Sequence, residues 1–68
     1  MTAPAPHIQR LQAEHSETTD RLQKLAAFIE SEKFLTLSDV DQKLLLRQRL
    51  IMVDYVAVSA ERLQCALA

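Results

Sequence analysis

From His7 onward the chain contains neither glycine nor proline: glycine is absent, and both prolines lie within the first six positions. Nothing beyond Pro6 interrupts a helix through its own backbone chemistry. β-Branched residues never alternate with polar ones over a strand's length, so the expected class is all-α. "MTAPAP", residues 1–6, reads as an extended arm, with Pro6 tolerated in the first helical turn. A first helix is expected over residues 7–31, a connection over 32–38 and a second helix over 39–66. In the connection, Ser38 and Asp41 form a capping-box-like S-x-x-D, and Phe34, Leu35 and Leu37 are placed to plug the end of a hairpin. A linker this short favours antiparallel neighbours.

The two helices differ in how much apolar surface they carry. In the first, Ile8, Leu11, His15, Thr18, Leu22, Leu25 and Ile29 recur at alternating spacings of three and four, a single heptad seam. Glu17–Arg21 and Asp20–Lys24 are favourable i,i+4 pairs on its outer face. The second contains "KLLLRQRLIMVDYVAVSAERL", residues 43–63, which is apolar nearly all the way round. At about 100° per residue, Val40, Leu44, Ile51, Tyr55 and Val58 form a narrow stripe. Arg47, Asp54 and Glu61 bound it on one side, and Gln48 and Ser59 mark the other. Beyond them lies a wider face of Leu45, Leu46, Leu50, Met52, Val53, Val56, Ala57, Ala60, Leu63 and Leu67. A helix with one seam covers one of these faces and leaves the other bare.

A bare apolar face about 30 Å long is more than a monomer usually exposes. A chain of 68 residues is also below the size at which one core is comfortably stable. The expected architecture is therefore an antiparallel two-helix hairpin that self-associates through the wide face (Leu45, Leu46, Leu50, Met52, Val53, Val56, Ala57, Ala60, Leu63). The product is a four-helix bundle, most simply a homodimer. Ala57 and Ala60 would permit close approach of the two helices.

Composition removes several function classes. Eight basic and nine acidic side chains leave a net charge of −1 with no basic stripe, and Phe28, Phe34 and Tyr55 are the only aromatics, so nucleic acid is not an expected partner. Cys65 is the sole cysteine, which excludes an internal disulfide, and with His7 and His15 it lacks paired ligand spacing for zinc. No metal, cofactor or catalytic constellation is expected, and the chain does not read as an enzyme. The N-terminus lacks the apolar core of a signal peptide, and Arg47, Arg49 and Asp54 interrupt the longest greasy stretch. The expected location is the cytoplasm.

Three residue sets remain as candidates. His15 and Thr18 are polar residues at seam positions, suited to fixing register, and His15 also offers a titratable group for pH-dependent assembly. Phe28 lies about 100° off its helix's seam; with Phe34 and Leu35 it either folds over the connection or offers an apolar anchor to a partner protein. Arg47 and Arg49 point to different sides of the second helix, and with Tyr55 they are the candidate anion or ligand residues, cradling a small molecule between chains.

The run from Arg10 to Leu63 resembles a family of small phage and prophage proteins named for a crAss-like phage member. The shared pattern is a helix ending in L-x-x-F-I (here Leu25, Phe28, Ile29), then a short apolar turn. Gln42, Leu45, Leu46, Arg49, Leu50, Met52 or Val53, Tyr55, Arg62 and Leu63 follow, with the usual second glutamine displaced to Gln48. The resemblance covers about four-fifths of the chain and implies a phage-type helical hairpin, with no active site to carry over. It supports, as a first expectation, an accessory protein that binds and inhibits a host defence or regulatory protein. The alternatives are an oligomeric sponge for a signalling nucleotide, and a purely structural phage component.

Overall fold

The computed structural model describes residues 5–67, and they are helical throughout apart from two short breaks. The chain runs α1 (Pro6–Ile29), α2 (Glu32–Leu35) and α3 (Asp39–Leu67), with α1 packed against α3. The result is a rod with principal extents of 51 × 16 × 14 Å. Its radius of gyration is 15.5 Å, against about 11 Å for a compact domain of this length. Residues 1–4 of the expected 1–6 arm lie outside the described residues, and Pro6 already belongs to α1.

Each helix start has a local cause. Ala5 is extended (φ −58°, ψ 152°) and Pro6 occupies the first turn, where its fixed φ suits a helix and its missing N–H costs nothing. The carbonyl of Ala5 accepts from the N–H groups of Ile8 and Gln9 at 2.9 and 3.0 Å. At α3, the Ser38 hydroxyl accepts from the Asp41 N–H at 3.1 Å, which is the serine half of a capping box. Asp39 and Asp41 set negative charge against the positive end of the helix dipole.

Reversing the chain without glycine needs another device. Helices commonly end on a left-handed residue, but no described residue has positive φ. Hydroxyl side chains cap the loose carbonyls instead. Ser31 Oγ donates to the Phe28 carbonyl at 2.6 Å, and Thr36 Oγ1 donates to that of Lys33 at 2.6 Å. Ser31 itself is extended (ψ 161°), which turns the chain out of α1 and into the single turn of α2. Gln42 then reaches back from α3, its Nε2 donating to the Leu37 carbonyl at 3.0 Å. Residues 30–31 thus leave the helix within the stretch read as helical from sequence, and a helical turn lies inside the stretch read as connection.

Three apolar residues were expected to plug this turn, and they behave differently. Phe34 is 7% exposed and meets Phe28 edge-to-face, with ring centroids 6.4 Å apart at 87°. Leu37 is half-buried. Leu35, in the same turn of α2 as Phe34, points away and is 73% exposed.

The packing of α1 on α3 corrects the sequence reading. The seam of α1 is the expected one: Leu11 is buried, and Ile8, His15, Thr18, Leu22, Leu25 and Ile29 are partly so. On α3, however, α1 covers neither face as drawn from apolar content: it takes about half of the wide face together with polar residues beyond its edge. The residues with reduced exposure are Gln42, Leu45, Arg49, Met52, Val56, Ser59, Ala60 and Leu63. Apart from Ala60 they follow a strict three–four alternation. Polar members were discounted when the faces were drawn, yet α1 places its own polar seam residues opposite this strip. Pattern spacing outweighed apolar count.

Candidate self-association and ligand surfaces

The strip that α1 takes divides the remaining surface of α3 in two. Leu45, Met52, Val56, Ala60 and Leu63, assigned from sequence to self-association, are partly occupied by α1. Leu46, Leu50, Val53 and Ala57 from the same set are exposed. On the other flank Val40, Leu44, Ile51, Tyr55 and Val58 are also exposed, with Ile51 at 64%. Arg47, Asp54 and Glu61, exposed at seven-residue intervals, separate the two flanks. Among the described residues only Leu11 and Phe34 are buried hydrophobics. The hairpin alone has almost no core.

The most buried residue is polar. Ser59, 3% exposed, donates its hydroxyl proton to the Val56 carbonyl at 3.0 Å. His15 Nδ1 lies 2.6 Å from the same oxygen. The serine has one proton and it is spent on Val56, so His15 donates from Nδ1 and its neutral form carries the proton there. Sequence reading marked Ser59 as the edge of a face. Its true place was encoded in its spacing from Val56 and Leu63, three and four residues.

Tyr55 stood in the sequence on the narrow stripe and among the ligand candidates. It is 39% exposed, and its hydroxyl donates to a carboxylate oxygen of Glu14 on α1. That bond to Glu14 raises the Tyr55 pKa above 10.0, and burial and the carboxylate's charge act in the same direction. Arg62 opposes them, since a nearby cation favours the phenolate. Glu14 and Arg62 were missed as Tyr55's partners because the sequence gives no register between the helices.

Of the candidate cations, Arg47 is exposed and Arg49 sits on the strip facing α1. They lie on nearly opposite sides of α3 and form no clamp within one chain. Arg47 and Tyr55 share the outer side of the helix but stand about 12 Å apart along its axis. Phe28 and Phe34, candidates for a partner-protein anchor, meet edge-to-face across the turn.

The open end of the hairpin holds a further feature, a solvent-open cleft of about 540 Å³. Ile8 and Leu11 of α1 and Val58 and Ala66 of α3 supply its apolar wall. His7, Glu61, Arg62 and Cys65 supply its polar rim. Cys65 is exposed and lies beside Ile8 and Leu11, where an antiparallel hairpin brings it, rather than beside His15. Among the described residues no group of three or more His, Cys, Asp or Glu side chains is placed to hold a metal. None of their helices is long and apolar enough to cross a membrane.

Comparison with known proteins follows this geometry. The sequence model of the Sequestin family matches residues 5–64. The "Uncharacterized 7.5 kDa protein in denB-rIIB intergenic region" of Enterobacteria phage T4 is 37% identical over 54 residues, covering 79% of this chain and 84% of that protein. No solved structure matches. The resemblance to small phage proteins therefore holds; the matches, to Sequestin and to a phage T4 protein, lend no support to its narrower attribution to a crAss-like group.

Proposed function

The chain belongs to the Sequestin family of small phage-encoded proteins, and from that premise we propose that it acts by sequestration, holding a small signalling nucleotide between copies of itself. The family's name describes removal by binding. A protein that acts by sequestration removes a molecule by occupying it, in amounts set by its own abundance. The action takes place in the host cytoplasm, where such signals act.

One observation carries the small-molecule form of this reading: the setting of Tyr55. It is an aromatic side chain held by Glu14, partly open to solvent, on an apolar stripe that α1 leaves exposed. A nucleobase stacks on such a ring, and Arg47 on the outer side of the same helix offers a cation to phosphate. Of the aromatic pair best suited to anchoring in a protein partner, Phe34 is buried and Phe28 half-buried against it. Calorimetry against a panel of cyclic and linear nucleotides tests the reading. Binding of at least one, lost in Tyr55→Ala, is expected; no heat across the panel removes it.

A host-protein target is the second reading, and Leu35 favours it. At 73% exposure on the hairpin tip, it is the most exposed large hydrophobic residue described. Affinity capture from host lysate would retain one stoichiometric protein with wild type and lose it with Leu35→Asp.

A further inference from the structure

We propose that a second copy of the chain docks antiparallel along the Leu44–Ile51–Val58 stripe of α3, with the two-fold axis beside Ile51. This rests on the self-association assumed above, and it adds the surface, the direction and the register.

The stripe is bare and regular. Leu44, Ile51 and Val58 are 52, 64 and 54% exposed and recur every seven residues, the repeat that keeps one line of a helix facing a neighbour. With Val40 and Tyr55 they leave apolar surface on the order of 500 Å² uncovered, much of the roughly 800 Å² per partner of a standard interface. Alpha-one lies on a different strip and does not compete for it.

The flanking residues choose the direction. On one side stand Arg47 and Asp54; on the other stand Asp41, Gln48, Tyr55 and Arg62. An isologous antiparallel pair pivoting at Ile51 sets Leu44 against the partner's Val58 and Ile51 against the partner's Ile51. In that register Arg47 is within one residue of the level of the partner's Asp54, and Asp41 of the partner's Arg62. Gln48 similarly meets the partner's Tyr55. Each contact occurs twice by symmetry. In a parallel pair the same charges stand level with their own copies, Arg47 by Arg47 and Asp54 by Asp54, which is repulsive. Moving the pivot to Asp54 also brings two carboxylates together.

One consequence reaches the ligand surface. Within one chain, Tyr55 and Arg47 are separated by about 12 Å of helix. Across the antiparallel pair that axial gap closes: Tyr55 stands level with the partner's Arg47, on opposite flanks of the stripe, so base-stacking ring and phosphate-binding cation share one level only between subunits.

Single cysteines in a Cys65→Ser background test the arrangement, read as interchain disulfides under mild oxidation. Ile51→Cys is expected to cross-link with itself. Leu44→Cys and Val58→Cys are not expected to do so alone, because each lies about 21 Å from its own copy, far beyond disulfide reach. Mixed together, those two are expected to form the hetero-disulfide. Self-linking of all three sites would establish a parallel pair and overturn the proposal. If none links while the solution mass remains multimeric, the stripe is not the interface and the proposal fails, while sequestration stands or falls on calorimetry. All three side chains are exposed, so the substitutions leave the hairpin's folding intact. As a second readout, Asp54→Arg should weaken association and Arg47→Asp/Asp54→Arg should restore it; no rescue would contradict the register.

Discussion

His15 of α1 donates from Nδ1 to the hydroxyl of Ser59 on α3, 2.6 Å away, at the most buried point of the interhelical seam. This polar bond links two residues 44 positions apart and sets the helices' register. By equal rise along two antiparallel helices it brings Leu22 level with Met52 and Ile29 level with Leu45.

Removing one partner alone should be costly. Ser59→Ala strands the His15 donor in the seam, and the expected loss is about 1–2 kcal/mol. In a domain of this size that lowers the melting temperature by roughly 5–10 °C. The double variant His15→Leu/Ser59→Ala removes donor and acceptor together and should recover most of the loss. Thermal melts followed by circular dichroism decide between these outcomes. A double variant worse than Ser59→Ala would show that the bond is not what holds this point of the seam.

Tyr55 gives a direct optical test of the packing, since it is the chain's only tyrosine and tryptophan is absent. Its pKa is raised, chiefly by the bond to Glu14, so ionisation followed near 295 nm should have its midpoint above 10.0. The protonated phenol is the form the fold favours. Its contribution is therefore complete below the unfolded value of 10.0 and disappears as pH rises through the folded one. Glu14→Gln should move the midpoint back toward 10.0.

Neighbouring residues of the turn should separate stability from recognition. Phe34→Ala removes a buried ring and its edge contact with Phe28, at an expected cost of about 3 kcal/mol. Leu35→Ala, at an exposed position, should change stability by less than about 0.5 kcal/mol. Urea titrations of the two variants provide the comparison.

Lysine at Ile51 should lower the solution mass while leaving helical content intact, because this side chain is exposed in the single chain and lies at the proposed two-fold axis. Loss of helix together with mass would mean that the hairpin depends on its partner to fold.

Much of the fold was legible in the sequence. The lack of glycine and late proline required helices, Ser38 and Asp41 marked the start of α3, and the seven seam positions of α1 were readable from spacing alone. The turn was less so. Its carbonyls are capped by Ser31 and Thr36 hydroxyls, which carry no signal as strong as glycine. The face of α3 was misread for a physical reason: Arg49 and Ser59 lie on the covered strip, and hydrophobic counting penalises such residues even where polar groups on α1 satisfy them. At the proposed ligand surface, Tyr55 and Arg47 were identifiable by type. Glu14 and Arg62 were not, since their proximity to Tyr55 depends on the register that His15 and Ser59 establish.

The central claim is that α3 carries more apolar surface than its own chain covers, so that the working protein is a multimer. Sedimentation equilibrium of the wild-type chain at low micromolar concentration tests it most directly. The mass should be an integral multiple of 7.7 kDa, two or more copies. A single species of 7.7 kDa that melts cooperatively would contradict it, and with it the binding of any ligand between subunits.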